Sequence, residues 1–422
     1  MSLALSAYRL GSTLIEPLAG PLLRRRAAAG KEDPARLGER LGRASQPRPA
    51  GPLVWLHGVS VGEATSLLPL VEALRRDRPD ITLLVTSGTR SSAELLARRL
   101  PTGVIHQFAP VDGPRATAAF LDHWRPSLGL LVESELWPNL ITQARARGVR
   151  LALISARMTE KSAQGWARAP GAARRLLQGF DLVLPQDSAT AARLTGLGGH
   201  VGPLLNLKRV GAPLPCDPEA LAAMRAELDG RPVVLAASTH PGEEALVLEA
   251  FAALAVRRPA PMLILAPRHP ERGEVVADLA RQAGHAVGRR SLGEPPGAVY
   301  VADTLGELGL FFRLADAVIL GGGFVPGVGG HNPLEPARLG RAVVTGPEVF
   351  NAQAIFEEMS EAAAVLFAAD AQALARHVAG LLDNPRIARR MGEAAQAVAQ
   401  RGDAALDRAL AQITPLLPEG AA

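Results

Sequence analysis

Cysteine is almost missing from this sequence: Cys216 is the only one in 422 residues. No disulfide can form within the chain, so a reducing compartment is its natural setting, and metal–thiolate clusters are excluded. The nine histidines are scattered without a close pair of the HxxxH kind, so no metal site is expected. Lysine is scarce as well, with Lys31, Lys161 and Lys208 standing against 43 arginines. No clean run of ~20 apolar residues occurs, which argues against a transmembrane helix. No small-residue cleavage site follows a charged start, which argues against a secretory signal. The GxGxxG fingerprint is also absent, which disfavours a nicotinamide cofactor and an oxidoreductase.

What is present describes a two-domain globular protein. The length is too great for one ordinary core, and 48% hydrophobic with 21% charged residues is a folded composition. The net charge of +5 is local: residues 1–50 hold nine basic and four acidic side chains, and the other 372 residues carry 37 of each. The body therefore has no charge signature of a nucleic-acid binder, and no nucleic-acid partner is expected. The basic terminus is also amphipathic. Leu3, Ala7, Leu10, Leu14, Leu18 and Leu22 recur at helical spacing, followed by Arg24-Arg25-Arg26. That pattern predicts an interfacial helix drawn to the anionic lipids of a cytoplasmic membrane face. An ordinary amphipathic helix docked on the protein has the same pattern.

From residue 52 onward short apolar runs alternate with helical stretches. Strands are expected at Leu53–Leu56, Thr82–Thr86, Leu128–Val132, Arg150–Ile154 and Leu182–Leu184, with helices at Leu67–Arg76, Ser91–Leu100, Arg115–Trp124 and Leu140–Arg147. Apolar strands separated by helices indicate a parallel, doubly wound sheet. Pro203, Pro213, Pro215 and Pro218 then crowd a linker. The alternation restarts at Val233–Ala236, Met262–Ala266, Val299–Val301, Ala317–Leu320 and Ala342–Val344, and residues 370–412 read as helical throughout. The expected organisation is a membrane-associating segment at 1–50, a Rossmann-like acceptor domain at 51–205 and a Rossmann-like nucleotide-sugar domain at 206–422. Ligands of such sheets bind at the carboxyl ends of strands, so two facing sheets would place an active site in the cleft between them.

Several segments carry chemistry. In His57-Gly58-Val59-Ser60-Val61-Gly62-Glu63 a strand turns into a helix, and Glu63 is either a reactive carboxylate or an acid complementing the helix dipole. Glu133-Ser134-Glu135-Leu136-Trp137-Pro138-Asn139 begins where an apolar run ends. Pro138 suits a helix start and Glu135 a cap, whereas Glu133 still belongs to the strand end. Lys208, in Asn206-Leu207-Lys208, is a compact ammonium kept in an arginine-rich chain. Further on, Ser238-Thr239-His240-Pro241-Gly242-Glu243-Glu244 forms a strand-to-helix loop, and Arg268, in Pro267-Arg268-His269-Pro270-Glu271-Arg272, is placed to pair with a phosphate. Gly321-Gly322-Gly323 through Gly329-Gly330-His331-Asn332-Pro333-Leu334-Glu335 is a glycine-rich loop opening a helix. Its amides are candidates for phosphate, and Glu335 for a ribose diol.

Taken in order, Gly30-Lys31-Glu32-Asp33, HGVSVGE, ESELWPN, LISARM, the Asn206–Lys208 segment, STHPGEE, PRHPER, DTLGELGLFFRLAD and GGHNPLEPA resemble the Kdo transferases. These attach 3-deoxy-D-manno-octulosonic acid (Kdo) to lipid A precursors. The resemblance spans nearly the whole chain. It implies a GT-B fold, CMP-Kdo as donor, a lipid A precursor as acceptor, no cofactor and no metal, and a place on the cytoplasmic side of the cell inner membrane. By the same resemblance Glu63 matches the general base, and Glu133 and Lys208 match positions that stabilise the transition state. Pro267 and Arg268, Gly306, Glu307 and Leu308, and Asn332, Pro333, Leu334 and Glu335 match the CMP-binding segments. The chain departs from the family at Gly323, where serine is common, and at Ala352, which follows Asn351 where an aromatic is common. Another GT-B nucleotide-sugar transferase and a non-catalytic, membrane-attached nucleotide-binding module are the alternatives.

Overall fold

The computed structural model describes residues 2–256 and 259–419. It divides into two compact units, Met1–Gly211 together with Gly402–Ala422, and Ala212–Arg401. Each is built on one wholly parallel sheet.

In the first unit the strands are β1 (Leu53–His57), β2 (Thr82–Ser87), β3 (Ile105–Phe108), β4 (Leu128–Val132), β5 (Arg150–Ala156) and β6 (Leu182–Pro185). Their order across the sheet is β3-β2-β1-β4-β5-β6. The chain starts in the middle, winds outward to one edge, then returns to β4 and winds to the other. The order reverses between β1 and β4, where a doubly wound sheet opens a crevice for ligands. Alternation of side chains divides the two faces. Val54 and Leu56 enter one buried cluster with Leu67, Leu70 and Val71 of the helix Val61–Asp77. Leu53 and Trp55 enter the other, with Phe120 and Trp124 of the helix Pro114–Trp124.

The second unit repeats the plan with β7 (Val233–Thr239), β8 (Met262–Pro267), β9 (Val287–Arg289), β10 (Val299–Val301), β11 (Ala317–Leu320), β12 (Val343–Thr345) and β13 (Val365–Phe367), ordered β13-β12-β11-β7-β8-β10-β9. Its reversal lies between β7 and β11. Val233, Leu235 and Ala237 face one core and Val234 and Ala236 the other.

Three strands have no counterpart in the sequence reading: β3, β9 and β13. All are edge strands. An edge strand needs no long apolar run, and Ile105-His106-Gln107-Phe108 and Val287-Gly288-Arg289 have none. The helical stretch after residue 370 is broken at Asn384 into Ala371–Asp383 and Pro385–Ile413, because a proline admits no continuous ladder of hydrogen bonds. Its end also belongs elsewhere than the sequence suggests. Ala409, Ile413 and Leu417 are buried in the first unit's core, so residues 402–419 return to that unit instead of finishing the second.

The amino terminus folds as the helices Leu3–Ile15 and Ala19–Ala28 joined by a 3-10 turn at Glu16–Leu18. Leu5 is buried in the first unit's core, and the Tyr8 hydroxyl donates to Asp112 at 3.0 Å. Glu16 accepts from the amides of Arg115 and Ala116, capping the helix Pro114–Trp124. Farther along, buried Glu39 accepts from the Phe108 amide at 2.7 Å and pairs with Arg36, tying this segment to β3. Among the described residues no helix is long and apolar enough to cross a membrane.

Candidate active site

In the first unit two of the flagged segments leave the carboxyl ends of the adjacent strands β1 and β4. Glu63 follows β1, Glu133 ends β4, and Lys208 lies in the 3-10 turn Leu207–Arg209 beyond β6.

Ser60 is the N-cap of the helix Val61–Asp77, and its hydroxyl oxygen accepts from the Glu63 amide. Glu63 folds back on the same turn. One carboxylate oxygen accepts from the Val59 amide at 2.7 Å, and the other accepts from the Ser60 hydroxyl at 2.7 Å. Glu63 is thus a capping acid, half-buried and oriented by two donors. Each oxygen keeps acceptor capacity beyond those bonds.

Glu133 is held differently. It is 7% exposed, and its φ of 64° puts a non-glycine residue in the left-handed region. Its backbone is locked to β5 on both sides: its amide donates to the Ile154 carbonyl, and its carbonyl accepts from the Arg157 amide. Backbone strain of ~1–3 kcal/mol persists only where surrounding contacts over-determine it, and it concentrates at functional sites. The Lys208 ammonium lies 2.6 Å from Glu133 Oε1, with the lysine side chain 46% exposed against 8% for the glutamate. The lysine is aimed by its own turn. Asn206 accepts from the Lys208 amide, and the hydroxyl of Ser155, itself at φ 49°, accepts from the Leu207 amide at 3.2 Å. Two residues far apart in the sequence therefore form one ion pair.

Glu135 does not cap the helix Pro138–Ala146, whose first position Pro138 does occupy. Asp112 accepts from the Asn139 and Leu140 amides instead. Glu135 is buried and lies 3.0 Å from His57 Nε2, while the Trp137 indole N–H also donates to it. His57 Nδ1 is 2.9 Å from Thr86 Oγ1, which accepts from the Trp55 indole at 2.8 Å. The two ring nitrogens of His57 thus link Thr86 on β2 to Glu135 beyond β4. Reading the glutamate by its position beside a helix missed this link, because its partner lies on another strand.

In the second unit four neighbouring strands, β11, β7, β8 and β10, supply the flagged loops. Glu243 is fully buried and accepts from three amides: His240 at 2.9 Å, Gly322 at 2.8 Å and Phe324 at 2.9 Å. Two amides of the glycine-rich loop are therefore spent on a carboxylate of the protein itself. The following helix offers few more: Pro333 and Pro336 have no N–H, and the Leu334 amide donates to Asn332. Glu244, also fully buried, accepts from Thr239 and from both terminal nitrogens of Arg272. Glu307 is held by Arg290 and by the Thr304 hydroxyl, and the Arg290 bonds hold its pKa below the usual carboxylate range. It precedes the helix Leu308–Leu314 after Gly306, whose φ of 85° suits glycine.

Toward solvent these loops present Arg268, His269 and, 3.7 Å from His269 Nδ1, the exposed carboxylate of Glu271. Arg268 is exposed at the end of β8. His240 and His331 stack, with ring centroids 5.0 Å apart and Nε2 atoms 2.9 Å apart, and His269 stands edge-on to His240 at 6.0 Å. Burial, then the neighbouring His240 and Arg268, pushes His331 down to about 4. Burial pushes Glu335 up, opposed by Arg268 and Arg338. Gly323 has a local reason to be glycine: a Cβ there would lie 2.7 Å from Thr345 Oγ1 and 3.0 Å from the Gly346 amide.

A family model described as 3-deoxy-D-manno-octulosonic-acid transferase (kdotransferase) matches residues 35–210, most of the first unit. The chain is 35% identical over 379 residues to a protein of Arabidopsis thaliana named probable 3-deoxy-D-manno-octulosonic acid transferase, mitochondrial, covering 86% of this chain and 84% of the relative. It is 38% identical over 389 residues to the 3-deoxy-D-manno-octulosonic acid transferase of Bordetella pertussis, covering 89% and 90%. The solved structure of a glycosyltransferase from Rickettsia africae ESF-5 matches at a TM-score of 0.57 over 87% of this chain and 99% of that one, at 12% identity, which is a likeness of fold. The class is α/β of GT-B type, with two Rossmann-like sheets. By identity and coverage the chain belongs to the 3-deoxy-D-manno-octulosonic acid transferase family, and it is a glycosyltransferase.

Proposed function

We propose that the enzyme moves Kdo from CMP-Kdo to a lipid A precursor of the lipid IVA type in lipopolysaccharide core biosynthesis, on the cytoplasmic side of the cell inner membrane. The observation that carries the reading is the Glu133–Lys208 pair at the carboxyl edge of the first sheet, in a chain of this family. In the reaction an acceptor hydroxyl attacks the anomeric carbon of Kdo. The new carbon–oxygen bond forms as the bond to the phosphate breaks, the hydroxyl proton passes to Glu63, and CMP departs with the electron pair. Such a single displacement inverts the anomeric carbon. Proton removal by a placed carboxylate is typically worth about 10²–10⁴-fold. Glu133 and Lys208 steady the charge that develops, and Pro267, Arg268, Gly306, Glu307, Leu308, Asn332, Pro333, Leu334 and Glu335 hold CMP. With Arg268 supplying charge to the leaving phosphate, the reaction proceeds without a metal or cofactor.

The test is mass spectrometry of a lipid A precursor incubated with the protein and freshly generated CMP-Kdo, with and without a chelator. Addition of Kdo in both samples is expected, with binding competed by CMP and not by UDP. No mass increment on the acceptor would refute the proposal.

A further inference from the structure

The amino-terminal helices do more than dock. Polar contacts fix them at defined points: Tyr8 on Asp112, Ser12 under the Asn139 side chain at 2.9 Å, and Glu16 on the Arg115 and Ala116 amides. Large apolar side chains on the same segment stay in solvent, among them Leu3 at 90%, Leu14 at 71% and Ile15 at 65% exposed. Between this segment and the loop before the helix Pro138–Ala146 runs a trough of about 700 Å³, walled by Tyr8, Gly11, Ile15, Leu18, Leu22 and Trp137. That volume lies within the ~300–1,000 Å³ of ordinary ligand pockets.

The chemistry of the trough selects its occupant. Its polar members are already engaged: Ser12 with Arg9 and Asn139, Glu16 with two amides, and Asp112 with Tyr8, Asn139 and Leu140. A guest finds apolar surface to cover and no unmet hydrogen bond, which suits hydrocarbon. Just beyond one end, Arg24 and Arg25 are exposed in the last turns of the helix Ala19–Ala28, so the hydrocarbon should carry an anionic head. The opposite wall leads to the reaction site, because the Trp137 indole donates to Glu135 in the loop that begins at Glu133.

We propose that this trough seats one acyl chain of the phosphorylated lipid acceptor, so that the enzyme measures its acceptor partly by chain. The proposal rests on the reading of the acceptor given under Proposed function. Gly11 offers a clean probe: it lies in the helix, and a Cβ added there meets nothing within 4 Å. Gly11→Phe therefore adds bulk at the trough wall, with Gly11→Ala as the small control. Both are compared with wild type on an acylated lipid A precursor in detergent and on its deacylated, water-soluble counterpart, alongside sedimentation with phosphatidylglycerol vesicles. The expected result for Gly11→Phe is a tenfold or greater rise in KM for the acylated acceptor. Its kinetics on the deacylated acceptor, its vesicle binding and its melting temperature should stay unchanged, and Gly11→Ala should behave as wild type throughout. Equal effects on both acceptors, no effect on either, or a loss that follows vesicle binding would overturn the acyl-chain seat. Failure of the wild-type enzyme to glycosylate either acceptor would instead overturn the acceptor reading on which it rests.

Discussion

The two units share a doubly wound parallel plan and a rule for where ligands bind, yet the carboxylates at their switch-point strands are held differently. In the first, Glu63 and Glu133 stand at the switch-point strands with a hydroxyl, an amide or a half-exposed lysine beside them. In the second, Glu243, Glu244 and Glu307 are consumed by amides and arginines of the protein, and the same strand ends expose Arg268 and a histidine cluster. One edge presents Glu63 with acceptor capacity to spare, and the other presents Arg268 beside His240, His269 and His331. That is the division expected if the first unit handles an alcohol that must lose a proton and the second an anionic nucleotide.

The sharpest way to break the comparison is at Glu63. Glu63→Gln keeps an oxygen for the Val59 amide while removing the base. The expected loss in kcat is roughly 10²–10⁴-fold, with CMP affinity and melting temperature near wild type. A variant that folds, binds CMP and turns over at the wild-type rate would leave Glu63 as a helix cap and nothing more.

How much of this was legible in the sequence follows from range. Central strands announced themselves as apolar runs because both faces of β1, β4, β7 and β8 are buried. The helix start at Pro138 was likewise local. Pairings across the sheet were not. The contact of Glu133 with Lys208 and of His57 with Glu135 depends on which strands become neighbours, information that no short window holds. The glycine-rich loop shows the converse. Its composition pointed to phosphate, but Glu243 sits as the anion on its amides, and only the fold reveals that a carboxylate of the chain has taken those donors.

Glu243 gives the next largest effect. Glu243→Ala leaves three buried or half-buried amides without an acceptor, each costing ~1–3 kcal/mol when unmet, less what water recovers. The expectation is a loss of ~2–4 kcal/mol in chemical denaturation together with weakened CMP binding. An equal change at Glu63 would erase the distinction between a stapling and a working carboxylate.

Lys208→Ala tests the intermediate case. It strips a buried carboxylate of its ammonium, but the lysine is half-exposed, so water and salt soften the penalty. A destabilisation of ~1–2 kcal/mol is expected, with a larger loss in turnover than in CMP affinity. A loss confined to stability would make the pair a structural latch.

The smallest effect is one of pH, and it sharpens the second unit's side of the contrast. His331 is held to about 4 by burial first, and His240 is lowered for the same first reason, in a setting shared with His269, Arg268, Glu243 and Glu244. Because the folded value lies below the unfolded value of ~6.5, the unfolded chain binds more protons in between. Stability from these rings is complete above pH ~6.5 and is lost as pH falls toward 4. A phosphate placed beside the rings would favour their charged forms and reverse the trend, so CMP should raise the melting temperature more at pH 5.5 than at pH 7.5. His331→Gln should flatten both profiles. Identical stabilisation by CMP at the two pH values would mean that the nucleotide phosphate sits away from the histidines, leaving Arg268 to carry the recognition without them.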